Sequence, residues 1–252
     1  MIRTLLIITG ASLVLCIAAL AGAAAIGGQD MARHGWTWTF RDGDGFRREE
    51  TVTFKRADSG PRVTRTLAWD GGDRLDIDVA ADVTYVQGDA ATVRVVGPRD
   101  QVEGLRLTNG RLTFDDDDNV NVVVFGWRAA DRLQITVTAP SVRSFDLSSA
   151  GDLLIRDYDQ PSLAVTINGS GEVDATGRTE TVDLDISGSG EADLSGLETR
   201  DADVEISGSG EAAVGPTGAA RITISGSGDV DLTQRPASLT QSISGSGDVN
   251  QR

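Results

Sequence analysis

The sequence predicts an all-β chain whose C-terminal part is a right-handed parallel β-solenoid with coils of about 19 residues, preceded by an additional β part. Three observations carry this. A Ser-Gly-Ser-Gly-Asp/Glu motif recurs at nearly constant spacing, each copy follows a run in which apolar residues alternate with polar ones, and Gly reaches 30 residues while aromatics are only 5%. The first marks a stacked repeat, the second marks strands with one buried face, and the third marks tight turns rather than a bulky core.

From the N-terminus, Thr4 to Ile26 contains no charged residue, and a stretch of that length crosses a bilayer core of about 30 Å as a helix. Arg3 stays on the inner side, which directs the rest of the chain outward. Ala21, Gly22, Ala23, Ala24 and Ala25 also offer small-residue cleavage sites behind an apolar core from Leu5 to Leu20. Residues 1–26 therefore read as a signal peptide or a membrane anchor. Both predict export, to the periplasm, the outer face of the inner membrane or the cell surface. Cys16, the only cysteine, lies in this segment, so no disulfide is expected within the exported part.

Residues 27–66 read as a β-hairpin and a linker. Trp36, Trp38 and Phe40 alternate with threonines, Asp42-Gly43-Asp44-Gly45 supplies a turn, and Thr51 to Phe54 resumes the alternation. A calcium loop would also use Asp42 and Asp44, but the third ligand and distal Glu of an EF-hand are missing. Residues 67–252 read as one β domain. Leu75, Ile77 and Val79 alternate with Asp76 and Asp78, and short β-type runs follow at Thr92–Val96, Leu105–Leu107, Leu112–Phe114, Val120–Phe125 and Leu133–Val137.

The regular repeats occupy residues 147–252. Ile167, Ile186, Ile206, Ile224 and Ile243 each open a motif ending in Glu172, Glu191, Glu211, Asp229 or Asp248, and a degenerate copy runs from Leu147 to Asp152. Spacings of 20, 19, 20, 18 and 19 residues separate them. Apolar columns precede each motif (Leu163, Val165; Val182, Leu184; Ala202, Val204; Ala220, Ile222) and follow it (Val173, Ala175; Ala192, Leu194; Ala212, Val214; Val230, Leu232). Stacking would bury these columns as ladders, with coils about 4.8 Å apart. The glycines permit positive φ where stacked backbones approach, and the serines can bond backbone groups above and below. A phosphate loop is excluded, because an acid and a β run follow each copy where Lys and a helix would be required.

These residues resemble the bacterial head GIN domain family, a family of unknown function whose members are described as auto-transporter adhesins. Asp82-Val83-Thr84-Tyr85-Val86-Gln87-Gly88-Asp89 is similar to its early strand and turn, and Thr136-Val137-Thr138-Ala139-Pro140 with Val142 to its passage into the repeat. The resemblance covers roughly Leu75 to Arg252 and implies a non-enzymatic exported module for binding or adhesion. It also implies that Leu75–Val137 forms an additional β part against the C-terminal coils. It supplies no catalytic or cofactor residues, and the Trp36–Phe54 hairpin lies outside it.

Charge narrows the partners. The net charge is −15, and from Leu147 onward eighteen acids face six arginines. Nucleic acid, which requires a basic footprint, is excluded as a partner. Membrane contact would come through residues 1–26 if they are retained, and the expected partner is an unidentified envelope or surface ligand.

Two other functions compete. A carbohydrate-active β-helix enzyme would need a general base or a carboxylate pair, but the only His is His34 and the only Lys is Lys55. Carboxylates recur in every coil instead of standing out in one. A calcium-binding β-roll would need a Gly-Gly-x-Gly-x-Asp nonapeptide, twice per coil, and each coil here has a single Gly motif. Asp115–Asp118 read as a solvated loop tip, and Trp36, Trp38, Trp69 and Trp127 as packing residues before a sugar platform.

The acid column from Asp152 to Asp248 is the one candidate site. Like charges about 4.8 Å apart repel by about 0.9 kcal/mol per pair even at the dielectric of water. Solvation, bonds to turn N–H groups, or a cation must relieve them. Glu172, Asp174, Glu191, Asp193 and Glu211 are the residues that could collect calcium.

Overall fold

The computed structural model describes residues 36–41, 49–56, 61–114, 120–125 and 132–251. The apolar segment at 4–26, His34, the Asp42–Gly45 turn, the Asp115–Asp118 run and Trp127 lie outside them. The chain divides into two units, one of residues 1–58 with 116–128 and one of residues 59–115 with 129–252.

In the smaller unit β1 (Trp36–Arg41) pairs antiparallel with β2 (Glu49–Arg56), Trp36 opposite Phe54, as the hairpin expected there. The strand read at Val120–Phe125, here β9, pairs parallel with β2 and closes a three-stranded sheet.

The larger unit is a β-solenoid. Its coils begin before the first recognisable motif. β4 (Arg74–Ile77) and β5 (Ala81–Gln87) form the first coil, because β11 (Ser144–Leu147) and β12 (Asp152–Asp159) stack on them in parallel, Leu75 under Phe145, Ile77 under Leu147 and Val83 under Leu153. The regular coils follow as β13 (Ser162–Gly169), β14 (Glu172–Gly188), β15 (Glu191–Gly208), β16 (Glu211–Pro216), β17 (Ala219–Gly226), β18 (Asp229–Leu232), β19 (Ser238–Gly245) and β20 (Asp248–Gln251). Ile167, Ile186, Ile206, Ile224 and Ile243 stand in one register column.

This arrangement follows from side-chain period and turn chemistry. Alternate residues point inward, so the flanking columns are buried from Leu163 to Leu232. Between coils, the backbone N–H groups of Ser189, Ser209, Ser227 and Ser246 donate to the carbonyls of Gly169, Gly188, Gly208 and Gly226, each at 2.8 Å. The bonds expected of the serines are thus made by their main-chain N–H groups in the regular turns. In the degenerate turn a hydroxyl does act: Ser149 Oγ donates to the Val79 carbonyl at 2.8 Å.

The additional N-terminal β part is continuous with the coils. After β5 the chain leaves the stack through β6 (Thr92–Pro98), α1 (Arg99–Gly104), β7 (Leu105–Thr108) and β8 (Arg111–Phe114), and returns through β10 (Leu133–Ala139). β10 covers the edge of β5 in parallel, β6 pairs antiparallel with β10, and β3 (Arg62–Ala68) pairs antiparallel with β6. β8 covers β4. The six-residue α1, which buries Val102, carries no sequence periodicity because it is under two turns long. Return to the stack is pinned by buried Tyr85, whose hydroxyl donates to the Ala139 carbonyl at 2.9 Å and accepts from the Val142 N–H at 3.3 Å. Tyr85 meets Phe145 edge-on at 5.1 Å, and Phe145 meets Tyr158 at 6.4 Å, filling the first coils with rings where later ones use aliphatics.

Candidate functional site

The acid column is real in register and longer than the motif indicates. Asp82, Asp152, Glu172, Glu191, Glu211, Asp229 and Asp248 occupy successive positions along one face. Asp174 and Asp193 are partners in the next outward column. The five residues proposed for calcium therefore share one outer face, since Val173 and Ala192 between them point inward.

Two acids of this face are shifted in their ionisation. Glu172 is held above the ordinary carboxylate range, first by burial and then by the charges of Asp174, Glu191, Asp152 and Asp193. Asp174 is raised in the same way, by burial, Asp193 and Asp152.

Local devices relieve part of the repulsion. Arg132, outside the repeat, bridges the first two acids, with Nη1 at 3.0 Å from Asp82 and 2.6 Å from Asp152. Asp193 accepts the N–H of Ser195 at 2.9 Å, and Asp229 accepts the N–H of Asp248 at 2.9 Å. Parallel strands set the carboxylates side by side, and among the described residues no group of three or more His, Cys, Asp or Glu is placed to hold a metal ion. A calcium cage would need six to eight oxygens converging on one point.

We expect calcium and sodium to raise the melting temperature equally at matched ionic strength, as screening requires. A millimolar calcium effect well beyond that of sodium would show that the carboxylates converge on an ion.

A second surface feature was not read from the sequence. Where the coils turn between their two main faces, an open groove of about 360 Å³ is lined by Asp159, Gln160, Pro161, Arg178, Thr179 and Glu180. Another of about 430 Å³ continues it past Arg178 and Thr179 to Glu198, Thr199, Arg200, Thr217 and Gln234. Two ion pairs lie along it. Arg178 forks onto Asp159 at 2.9 and 2.7 Å, and Arg200 meets Asp201 at 2.9 Å. Asp159 is lowered first by its hydrogen bond from Arg178, and Asp201 first by the Ala219 N–H and then by Arg200. These turns differ in length and residue from coil to coil, so no repeated motif announces them.

The two sets of acids give opposite pH dependences. A carboxyl raised in the folded state opposes folding at neutral pH, and that penalty fades as pH falls through its folded value toward the unfolded one. For the lowered Asp159 and Asp201, stability is present above the unfolded value and lost as pH falls through the folded one. In low salt the melting temperature should rise on mild acidification from pH 7, then fall once Asp159 and Asp201 take up protons. Glu172→Gln should flatten the rising limb. A steady decline from pH 7 downward would contradict this account.

Of the remaining candidates, Trp69 packs against the core and its Nε1 donates to the Gly72 carbonyl at 3.4 Å, so it is a packing residue. No described helix is long and apolar enough to cross a membrane, which leaves residues 1–26 untouched.

Comparison with known proteins agrees with this architecture. A family described as "Putative auto-transporter adhesin, head GIN domain" matches residues 73–236, more than half of the chain. The crystal structure of a protein from Bacteroides fragilis, described as a putative adhesin, is similar at a TM-score of 0.59 and 16% identity, covering 79% of this chain and 100% of that one. A putative adhesin from Parabacteroides distasonis is similar at 0.52 and 16% identity, covering 79% and 100%. No curated protein is significantly similar in sequence.

Proposed function

We propose, from the premise that this chain belongs to the head GIN domain family, that it is a non-enzymatic exported module whose rigid solenoid binds an envelope or surface ligand. Export is supported by the uncharged run from Thr4 to Ile26 behind Arg3. The adhesin descriptions of the family and of the similar structures agree with a surface role.

The observation that carries the reading is the register itself. The motif column from Ile167 to Ile243 repeats without slippage, with an acid at one equivalent position in each of those coils. Such a surface offers the same chemistry at each coil spacing. An extended ligand touching several coils could therefore be held by many weak, identical contacts. Catalysis would instead need one coil to differ, with a base set against a reacting atom.

Fractionation of expressing cells, with external protease as a probe, tests location. The folded domain is expected in the membrane or periplasmic fraction, and a soluble, full-length cytoplasmic product would overturn export. A panel of envelope and surface glycans incubated with the full-length protein tests chemistry. Binding without turnover is expected, and any turnover would replace this reading with a carbohydrate-active enzyme.

A further inference from the structure

An extended ligand that touches several coils needs a track running across them, and the corner groove is one. Its two stretches share Arg178 and Thr179. Together they cross the successive turns between β12 and β13, within β14, within β15, between β16 and β17, and between β18 and β19. The floor is closed main chain. The N–H groups of Glu180, Thr217 and Ala237 donate to the carbonyls of Pro161, Thr199 and Thr217, each at 3.2 Å. The hydroxyls of Thr179, Thr199 and Thr217 also donate to main-chain carbonyls, each at 3.2 Å. A peptide laid along this floor would find no strand edge to pair with.

The walls are polar and nearly balanced in charge. Asp159, Glu180 and Glu198 stand against Arg178 and Arg200, in a chain whose net charge is −15. The signs alternate across coils, since Asp159, Arg178 and Glu198 share one register column. Arg200 likewise feels the charge of Glu180 in the coil before it. Each step along the groove therefore sets a donor beside an acceptor. The two ion pairs leave capacity over. Arg178 spends Nε and Nη2 on Asp159, and Arg200 spends only Nε on Asp201. Among the described residues, Arg178 Nη1, both Nη groups of Arg200, the carboxylates of Glu180 and Glu198 and the amide of Gln234 make no hydrogen bond.

This lining selects by chemistry. No aromatic or large aliphatic side chain lines either stretch, so an apolar ligand would bury nothing there. A polyanion would meet three carboxylates, with both guanidiniums already paired to acids. A polycation would meet a guanidinium in each of two adjoining coils. An uncharged chain of hydroxyl groups fits, because each hydroxyl both donates and accepts. A pyranose unit in an extended chain is also close in length to the spacing of about 4.8 Å between coils.

Resting on the ligand-binding role proposed for the solenoid, we infer that this corner is a binding track for a neutral polysaccharide laid along the stacking axis. Its hydroxyls bridge Arg178 with Glu198 and Glu180 with Arg200, and Gln234 holds the chain further along. With no aromatic platform each contact is weak, so affinity grows with the number of coils spanned.

The test uses the full chain in a detergent without a sugar headgroup. The probes are neutral hexasaccharides of gluco, manno and galacto configuration, the matching trisaccharides, and a hexauronate as the charged arm. At least one neutral hexasaccharide is expected to bind, about tenfold or more tighter than its trisaccharide, and the hexauronate is not. Arg178→Ala and Arg200→Ala should each weaken binding by about tenfold. Gln234→Ala, which breaks no bond of the folded chain, should weaken it at an unchanged melting temperature, so the loss is not unfolding. Glu191→Gln, on the acid face, should leave it unchanged. Failure of every neutral hexasaccharide to bind, or preference for the hexauronate, overturns the track. Binding that survives both arginine variants also overturns it, while leaving the solenoid a ligand-binding module. Cleavage of a glycan whose binding those variants abolish would support the track and overturn the non-enzymatic role instead.

Discussion

Ile206→Asp should destabilise the domain by more than about 4 kcal/mol, enough to unfold the coils around it. Ile206 is fully buried and stands in register between Ile186 and Ile224. Losing its burial costs about 1.5–3 kcal/mol. Desolvating the new carboxylate costs more still, because neighbouring coils close the column above and below and no cation is within the stack to pair it. Glu205→Ala, one residue away but on the outer face, should change stability by no more than about 0.5 kcal/mol. Urea melts of the two variants measure both. Equal melts would mean that the inward and outward faces are misassigned.

Gly208→Val should have the second largest effect, about 3 kcal/mol or more, from two independent sources. The residue sits at φ +135, where a β-branched side chain is strained by itself, and an added Cβ would meet the carbonyl oxygen of Gly188 in the coil below. Relief would require separating the coils at the turn, which would break the Ser209 N–H bond to that same carbonyl. Gly169, at φ +137 with only the Ser149 carbonyl oxygen at 3.8 Å from an added Cβ, isolates the first source. Gly169→Val should cost about 1–3 kcal/mol, and comparison of the two thermal melts separates backbone strain from coil contact.

How far the sequence reached depended on whether a feature repeats. The coils from Leu147 onward were legible because each carries an apolar alternation and a glycine turn at fixed spacing. The first coil was not recognised as one, although Ile77 and Asp82 have the same five-residue separation as Ile167 and Glu172. Its turn, Asp78-Val79-Ala80-Ala81, has no glycine, and 56 residues of excursion stand between β5 and β11. The strand at Val120–Phe125 was legible as a strand but not in its pairing with β2, because β propensity names no partner.

The candidate site divides the same way. The acid column could be read because its members are equivalent by repetition. Arg132 could not, since it lies twenty residues from Asp152 and fifty from Asp82 in a segment without repeat signal. Nor could the corner groove, whose residues fall in the least regular part of each coil.

The central claim is that the coils stack in parallel and in strict register, each isoleucine of the motif directly over the last. Selective labelling of isoleucine δ1 methyl groups and a methyl NOE spectrum of the folded domain test it without any substitution. Consecutive cross-peaks from Ile167 to Ile186, Ile206, Ile224 and Ile243 are expected, because stacked strands lie about 4.8 Å apart, with none between second neighbours such as Ile167 and Ile206. Missing consecutive contacts, or contacts in another order, would contradict the solenoid.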